Sequence, residues 1–339
     1  MRPNMNRTKK ILSYLTIACV FLGVFSAGAF WYWAQKRPLS LSAERVDYLI
    51  EAGSSPKRVA ATLNEAGVAI SEQAFVWLAR LTRLDRKIQA GAYEAVVGDT
   101  PKQLLDRMAK GDMLQTRVAL IEGWTYQRIR QALRNHDNVK QTLPDDQDAV
   151  REELGIEGTA LEGWFYPDTY VFVPGTTDYD ILRRAHHAQQ QVLQQAWESR
   201  SEGLPLKTPY EALILASIVE KETGHAEDRR RIAGVFMNRL KINMALQTDP
   251  TVIYGLGDRY QGRLRKVDLQ TDTPWNTYTR NGLPPTPIAS PSRAALEAVL
   301  HPEQHDFYYF VSRGDGTSEF SRTLAAHNRA VAKYILGRK

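Results

Sequence analysis

The sequence predicts an α+β protein held to a membrane by one N-terminal helix: a single transmembrane span, a small α+β module and a larger mixed α+β domain. Three observations lead to that class. Ile11 to Ala34 is a run of 24 residues without a charge, roughly 36 Å long as a helix and so enough for a bilayer core. Beyond it, apolar residues recur in short blocks with periods of 2 and of 3.6, the mark of mixed strands and helices. A chain of 339 residues, 43% of them hydrophobic, also carries enough apolar surface for one large core or two modest ones.

The span reads as an uncleaved anchor. A cleaved leader has a shorter apolar region closed by a small-residue cleavage site, whereas this one ends in Trp31-Tyr32-Trp33, side chains suited to an interfacial aromatic belt. Arg2, Arg7, Lys9 and Lys10 precede it with no acid among them, and only Lys36 and Arg37 follow closely. That asymmetry places the 1–10 tail in the cytoplasm, 11–34 in the membrane, and everything past the span on the far side. Four of the six formal net charges sit in the tail, which leaves the exported part near +2. So weak a charge excludes the basic surface of a nucleic-acid binder. The only cysteine, Cys19, lies inside the span, so the exported part has no thiol nucleophile, disulfide or cysteine-held metal.

Residues 38–112 form the small module. Val46 to Ile50 reads as a strand; Ser55-Pro56 opens a helix that Gly67 closes, and Ser71 opens a second through EQAFVWLARLTRL. A second strand follows from Gly91 to Val97, and a third helix starts at Thr100-Pro101 and stops at Gly111. The larger domain, 113–339, begins with a stretch to residue 180 that is rich in strand and turn signals and holds Glu-Gly-Trp twice, at 122–124 and 162–164. The flanks do not align, so the pair reads as coincidence or a shared turn. Helical patterns follow around Ile181–Trp197, Pro209–Glu222 and Ala226–Leu240. The 241–290 region reads as irregular, which inside a domain points to function. Ser290-Pro291 opens another helix, DFYYFVSR-GDG-SEF a hairpin, and Leu324 to Leu336 the last helix.

Thr208-Pro209-Tyr210-Glu211 is a capping box with proline at the first helical position. Ala212 to Val219 is apolar all round apart from Ser217, the pattern of a wholly buried helix. Glu220 and Glu222 then occupy its last turn. Residues two apart point about 200° apart around a helix, so the two acids do not face one site. Glu220 stacks over Ser217, Ala216 and Leu213, which leave room for a ligand, and Glu222 over Val219, Ile218 and Leu215. Burial and the negative end of the helix dipole both raise the pKa of a carboxyl at such a place, as a general acid requires. Pairing with Lys221 or with Arg229-Arg230-Arg231 is the alternative, and spacing alone does not separate the two.

The loops add Gln247, Asp249, Tyr254, Asn276 and Tyr278 as hydrogen-bonding groups, and Tyr166, Trp164 and Trp275 as flat apolar faces. With Ser217 these are the candidate contacts for a sugar substrate. Cleaving a glycan normally takes a second carboxylate, for which Asp249 is the nearest candidate unless Asp249-Pro250 merely starts a turn. His186 and His187 read as exposed. No histidine spacing suits a metal and no glycine fingerprint suits a nucleotide, so no cofactor is expected.

The motifs ASIVEKET, VFMNRL, LQTDPTVIYG, NTY, GLPP, YYFVSR and HN occur in this order after a short basic tail and one anchor. In this the chain resembles the membrane-bound endolytic murein transglycosylases of the YceG-like family, over nearly its whole length and most densely at 216–328. The resemblance implies a LysM-like fold for 38–112 and a catalytic transglycosylase domain at 113–339. It implies Glu220, the first glutamate of VEKE, as the catalytic acid, with Glu222 in a supporting role. The implied reaction cuts the β-1,4 bond between N-acetylmuramic acid and N-acetylglucosamine and leaves a 1,6-anhydro sugar. The sugar's own C6 hydroxyl is then the nucleophile, and Asp249 becomes a positioning residue. The implied partners are peptidoglycan glycan strands, the synthases whose nascent strands such a cut would end, and the lipid bilayer through 11–34. The implied setting is a bacterial inner membrane, with the catalytic domain in the periplasm. Hydrolysis with Asp249 activating water, and a non-catalytic peptidoglycan-binding scaffold, stay open as alternatives. Trp275 and Thr286 depart from the family's pattern, which has tyrosine and glycine at those places.

Overall fold

A computed structural model of the chain describes residues 5–158 and 160–337, without the side chains of 5–11; Arg2 and the rest of 1–4 of the basic tail lie outside the described residues. The chain divides into two units, Met1–Thr116 with Phe172–Gly175, and Arg117–Val171 with Thr176–Lys339. The described elements are helices and four two-stranded sheets, a mixed α+β architecture.

The first unit opens with the helix Met5–Lys36. Its stretch Leu12–Lys36 has a mean hydropathy of 1.9 and is long and apolar enough to cross a membrane, with Leu12, Phe21, Leu22 and Phe25 all facing outward. The end of this helix turns to protein. Ala34 is fully buried, and Phe30 and Trp33 pack against the unit's core. Of the expected aromatic belt, Trp31 and Tyr32 therefore remain outward and Trp33 does not, because the end of this helix packs on the unit's core and on the helix Pro101–Lys110.

The strand Arg45–Ile50 pairs antiparallel with Gly91–Val96, setting Tyr48 opposite Tyr93. Val46, Tyr48 and Ile50 point inward, as alternation requires. The helices Pro56–Ala66, Glu72–Leu81 and Pro101–Lys110 each start at a hydroxyl cap, Ser55, Ser71 and Thr100. Gly67 and Gly111 end the first and third in the left-handed conformation that glycine adopts without strain. Their inner faces, among them Leu63, Phe75, Leu78, Leu104 and Met108, close one core with the strand residues.

In the second unit the stretch read as strand and turn holds two helices, Tyr126–Arg134 and Gln147–Glu153. Thr125 caps the first, which buries Tyr126, Ile129, Arg130 and Leu133 on one face. The buried Arg130 guanidinium donates to Asp178 at 2.6 Å, and Asp178 also accepts the N–H groups of Thr142, Leu143 and Tyr179. Burial pulls the Asp178 carboxyl up, and these hydrogen bonds outweigh it, leaving its pKa below the usual value. His186, expected to be exposed, is buried edge-on to Trp164 at 5.5 Å, and burial holds it below the usual histidine value.

Around the helix Pro209–Glu222 pack the helices Asp178–Glu198, Ala226–Lys241, Asp249–Leu256 and Arg293–Leu300. Ala212 to Val219 are all buried, which is why this helix needs no polar face. Each of its Leu, Ile and Val side chains contributes about 1.5–3 kcal/mol through that burial. Its capping box is only half formed: Thr208 Oγ accepts the Glu211 N–H, but the Glu211 carboxylate takes the N–H of Lys207 in place of that of Thr208. The 241–290 region is less irregular than its sequence suggests, since Asp249–Leu256 and Lys266–Gln270 are helical. A hairpin, Tyr309–Ser312 with Ser318–Ser321, and the helix Leu324–Tyr334 complete the unit.

Candidate active site

The last turn of the Pro209–Glu222 helix sends its two acids to different loops, as their angular separation requires. Glu220 is half-buried. Its Oε2 accepts the backbone N–H of Ser292 at 3.0 Å and also the Ser292 hydroxyl. Ser292 is itself the cap of the Arg293–Leu300 helix, its Oγ accepting the Ala295 N–H at 3.1 Å. One hydroxyl thus ties the acid to a helix N-terminus, where a carboxylate is well placed. Glu220 Oε1 has no hydrogen-bond partner among the described residues, so one oxygen is clamped and the other is free.

The segment that carries Ser292 is held from both sides. The Ile288 N–H donates to Ser217 Oγ at 2.9 Å, while the Ser217 hydroxyl donates to Ile214 O at 2.7 Å. Ser290 exchanges backbone hydrogen bonds with Gly123 and Trp124. The two Glu-Gly-Trp sequences are the two turns that flank this segment. Gly123 and Gly163 both adopt positive φ, +74° and +80°. A Cβ on Gly123 would lie 3.9 Å from Glu220 Cγ, and one on Gly163 only 2.6 Å from Pro287 Cβ. Gly163→Ala is therefore expected to cost about 1–3 kcal/mol, from strain and the clash together. At Gly203, where φ is +72° and nothing lies within 4 Å of an added Cβ, alanine should cost less. Thermal unfolding of the two variants measures the difference.

Glu222 turns its carboxyl inward to the hydroxyl of Thr248, which donates to it. Burial, aided by the nearby Asp249 charge, pushes Glu222 up to about 7, against the Thr248 hydrogen bond and Arg239. Neither acid is in an ion pair among the described residues: Lys221 donates to Gly123 O at 3.2 Å, and Arg231 pairs with Glu303.

Around Thr248 lie most of the loop candidates. Gln247 is exposed with φ at +51°, a conformation unusual outside glycine, and its N–H donates to Thr277 O. Asp249 is exposed and accepts the Tyr278 hydroxyl at 2.6 Å; burial pushes the Tyr278 pKa up. Asn276 is fully buried, its amide donating to Leu269 O and Thr271 O and accepting the Tyr278 N–H. Both Asn276 and Ser217 are buried and spend their polar atoms on hydrogen bonds inside the protein. Tyr166 is half-buried against the core.

Sequence reasoning missed Glu162. It is 5% exposed, accepts the Tyr126 N–H at 3.0 Å and the Tyr254 hydroxyl at 3.2 Å, and has no cation beside it among the described residues. Burial pushes it up to about 7, against the hydrogen bonds from Tyr126, Tyr254 and Gly163. Tyr254 leans edge-on against Trp275 at 5.5 Å, and Trp275 Nε1 donates to Thr286 Oγ1 at 2.9 Å. The two departures from the expected motif, Trp275 and Thr286, therefore bond to each other.

A model of the YceG-like family matches residues 48–333. An endolytic murein transglycosylase of Bacillus subtilis (strain 168) is 30% identical over 312 residues, which cover 87% of this chain and 86% of the relative. An endolytic murein transglycosylase of Streptococcus pneumoniae (serotype 2, strain D39) is 27% identical over 365 aligned positions, and the chain spans 65% of that relative's length. The crystal structure of a yceG-like protein from Listeria monocytogenes shares 28% identity at a TM-score of 0.51, over 85% of this chain and 99% of that one. With the family model running from within the strand Arg45–Ile50 nearly to the end of the last helix, the chain belongs to the YceG-like family.

Proposed function

We propose that the chain is a membrane-anchored lytic transglycosylase that cuts peptidoglycan glycan strands internally, with Glu220 as its acid and base. The observation that carries this reading is the unequal pair of oxygens on Glu220, one fixed by Ser292 and one free, at the end of a rigid buried helix. The names of the relatives, endolytic murein transglycosylases, support the substrate class.

In its acid form Glu220 protonates the oxygen that leaves from C1 of the N-acetylmuramic acid residue, so the departing N-acetylglucosamine carries a 4-hydroxyl. The resulting carboxylate takes the proton of the C6 hydroxyl as O6 closes on C1. The 1,6-anhydro ring forms, the enzyme regains its proton, and no water is consumed. Because the nucleophile belongs to the substrate, the enzyme supplies position and proton transfer alone. Gln247 and Asp249, exposed on either side of the Thr248 that holds Glu222, are proposed as sugar contacts, with Tyr278 orienting Asp249. Tyr254 and Tyr166 offer ring faces.

The helix Leu12–Lys36 serves as the anchor, with the basic tail in the cytoplasm and the rest in the periplasm of the inner membrane. Residues 38–112 act as a LysM-like module, and strand-extending synthases are natural partners of a cut that ends elongation. Size analysis of uncrosslinked strands treated with the full chain in detergent tests the internal cut. Mid-length products early in the reaction are expected, and release of disaccharides alone would contradict it.

Ser292→Ala keeps the backbone donor and loses the hydroxyl. It is expected to lower turnover about tenfold and stability by about 1 kcal/mol with KM little changed, whereas Ser292→Thr should restore both. Steady-state kinetics and thermal unfolding check it.

A further inference from the structure

Beside the acid lies a cationic cleft that the reaction itself does not use. It has a volume of about 560 Å³ and runs between the end of the Asp178–Glu198 helix, the start of the Ala226–Lys241 helix and the Arg293–Leu300 helix. Arg229, Arg230, Arg293 and His301 line it, with Glu297 the one acid among its lining residues. None of the three arginines is in an ion pair among the described residues, although Arg231, next in sequence, pairs with Glu303. Arg230 Nε donates to His301 O at 2.6 Å, which fixes its stem. Arg229 Nε is buried and has no hydrogen-bond partner among the described residues. Arg230 and Arg293 are exposed and Arg229 is half-buried, so the cleft presents their planar forks to solvent, a geometry that suits carboxylate.

The position of the cleft says which carboxylate. Arg293 directly follows Ser292, whose N–H and hydroxyl hold Glu220, so the backbone of the first cationic residue adjoins the clamp of the acid, about 3.8 Å from Cα to Cα. Arg229 stands in the first turn of the helix that follows the acid's own. The muramic residue cut at C1 carries its lactyl-linked peptide on the same ring, at O3. Lys221 neighbours Glu220 directly and donates to Gly123 O at 3.2 Å; the cleft, which begins at the residue after the clamp, offers a peptide leaving that ring guanidinium groups that are in no ion pair among the described residues.

We infer that this arginine-lined cleft binds the carboxylates of the stem peptide attached to the muramic residue being cut, so that the protein reads peptide-bearing strands in preference to bare ones. The inference rests on the transglycosylase reading for its substrate and adds a binding site to it.

The test is binding, which does not depend on cleavage. Full-length Glu220→Gln protein in detergent is titrated with uncrosslinked strands carrying their peptides and with the same strands stripped by an amidase. Adding Arg229→Gln and Arg293→Gln is expected to weaken the peptide-bearing strands about tenfold and the stripped strands less than twofold. Lysine at both positions should recover most of the loss. Equal weakening of both strands, or no weakening of either, would overturn the inference. So would a loss confined to binding of phosphatidylglycerol vesicles, which would make the anion a lipid phosphate. A wild-type protein that binds peptide-bearing strands tenfold better yet leaves them uncut would count against the transglycosylase reading and leave the cleft standing.

Discussion

Glu220→Gln is expected to lower the turnover of glycan strands by about 10²–10⁴-fold, the range that a positioned proton donor contributes, with strand affinity changed less than about threefold. Glutamine has the shape of glutamate, and its amide oxygen can accept the N–H of Ser292 as Glu220 Oε2 does at 3.0 Å. What it lacks is a transferable proton. Glu220→Asp isolates position from chemistry: it keeps the proton but withdraws the carboxyl by one methylene from Ser292. Its activity should fall between those of the wild type and Glu220→Gln. A Glu220→Gln protein that retains a tenth of wild-type turnover would remove Glu220 from the mechanism.

Folding stability is expected to fall as the pH rises from about 4.5 to 7, by about 3 kcal/mol for each of Glu162 and Glu222. Both are held near 7 in the folded protein, against 4.5 as the ordinary value. The sign follows from proton counting. Between those values the folded state binds more protons than the unfolded state, so stability declines with pH; below 4.5 both states are protonated and the full stability is present, and above 7 the loss is complete. Asp178, whose carboxyl lies below its usual value, acts oppositely and at lower pH, outside this window. Denaturant titrations at pH 5, 6 and 7 measure the slope. Glu162→Gln and Glu222→Gln should each remove about half of it, and a wild-type slope no steeper than that of the double variant would contradict the assignment.

Elements bounded by local chemistry were legible in the sequence. Ser55-Pro56 with Gly67, and Thr100-Pro101 with Gly111, bracket helices because a cap hydroxyl and a left-handed glycine act within one turn. The Tyr126–Arg134 helix was not legible. Its inward positions, Tyr126, Ile129, Arg130 and Leu133, have helical spacing, but one is an arginine whose burial makes sense only beside Asp178, 48 residues on. Likewise the Asp249–Leu256 helix lacks a side-chain cap bond because the Thr248 hydroxyl is turned to Glu222.

Within the site, the helical angle between Glu220 and Glu222 could be read from spacing alone. The clamp on Glu220 could not, because Ser292 is 72 residues away and looks like an ordinary helix cap. Glu162 was hidden for a related reason. Its burial depends on Tyr126 and Tyr254, 36 and 92 residues distant. The repeated Glu-Gly-Trp was the available signal, and it marked two left-handed turns on either side of the segment that positions the acid.

The most direct test of the account is the chemical identity of the new chain ends. Uncrosslinked glycan strands incubated with the full-length protein in detergent, then analysed by mass, should end in 1,6-anhydro-N-acetylmuramic acid, one water lighter than a reducing end, and Glu220→Gln should yield neither. Reducing ends from the wild-type protein would mean that water, and not the C6 hydroxyl, attacks C1, and would contradict the lytic mechanism.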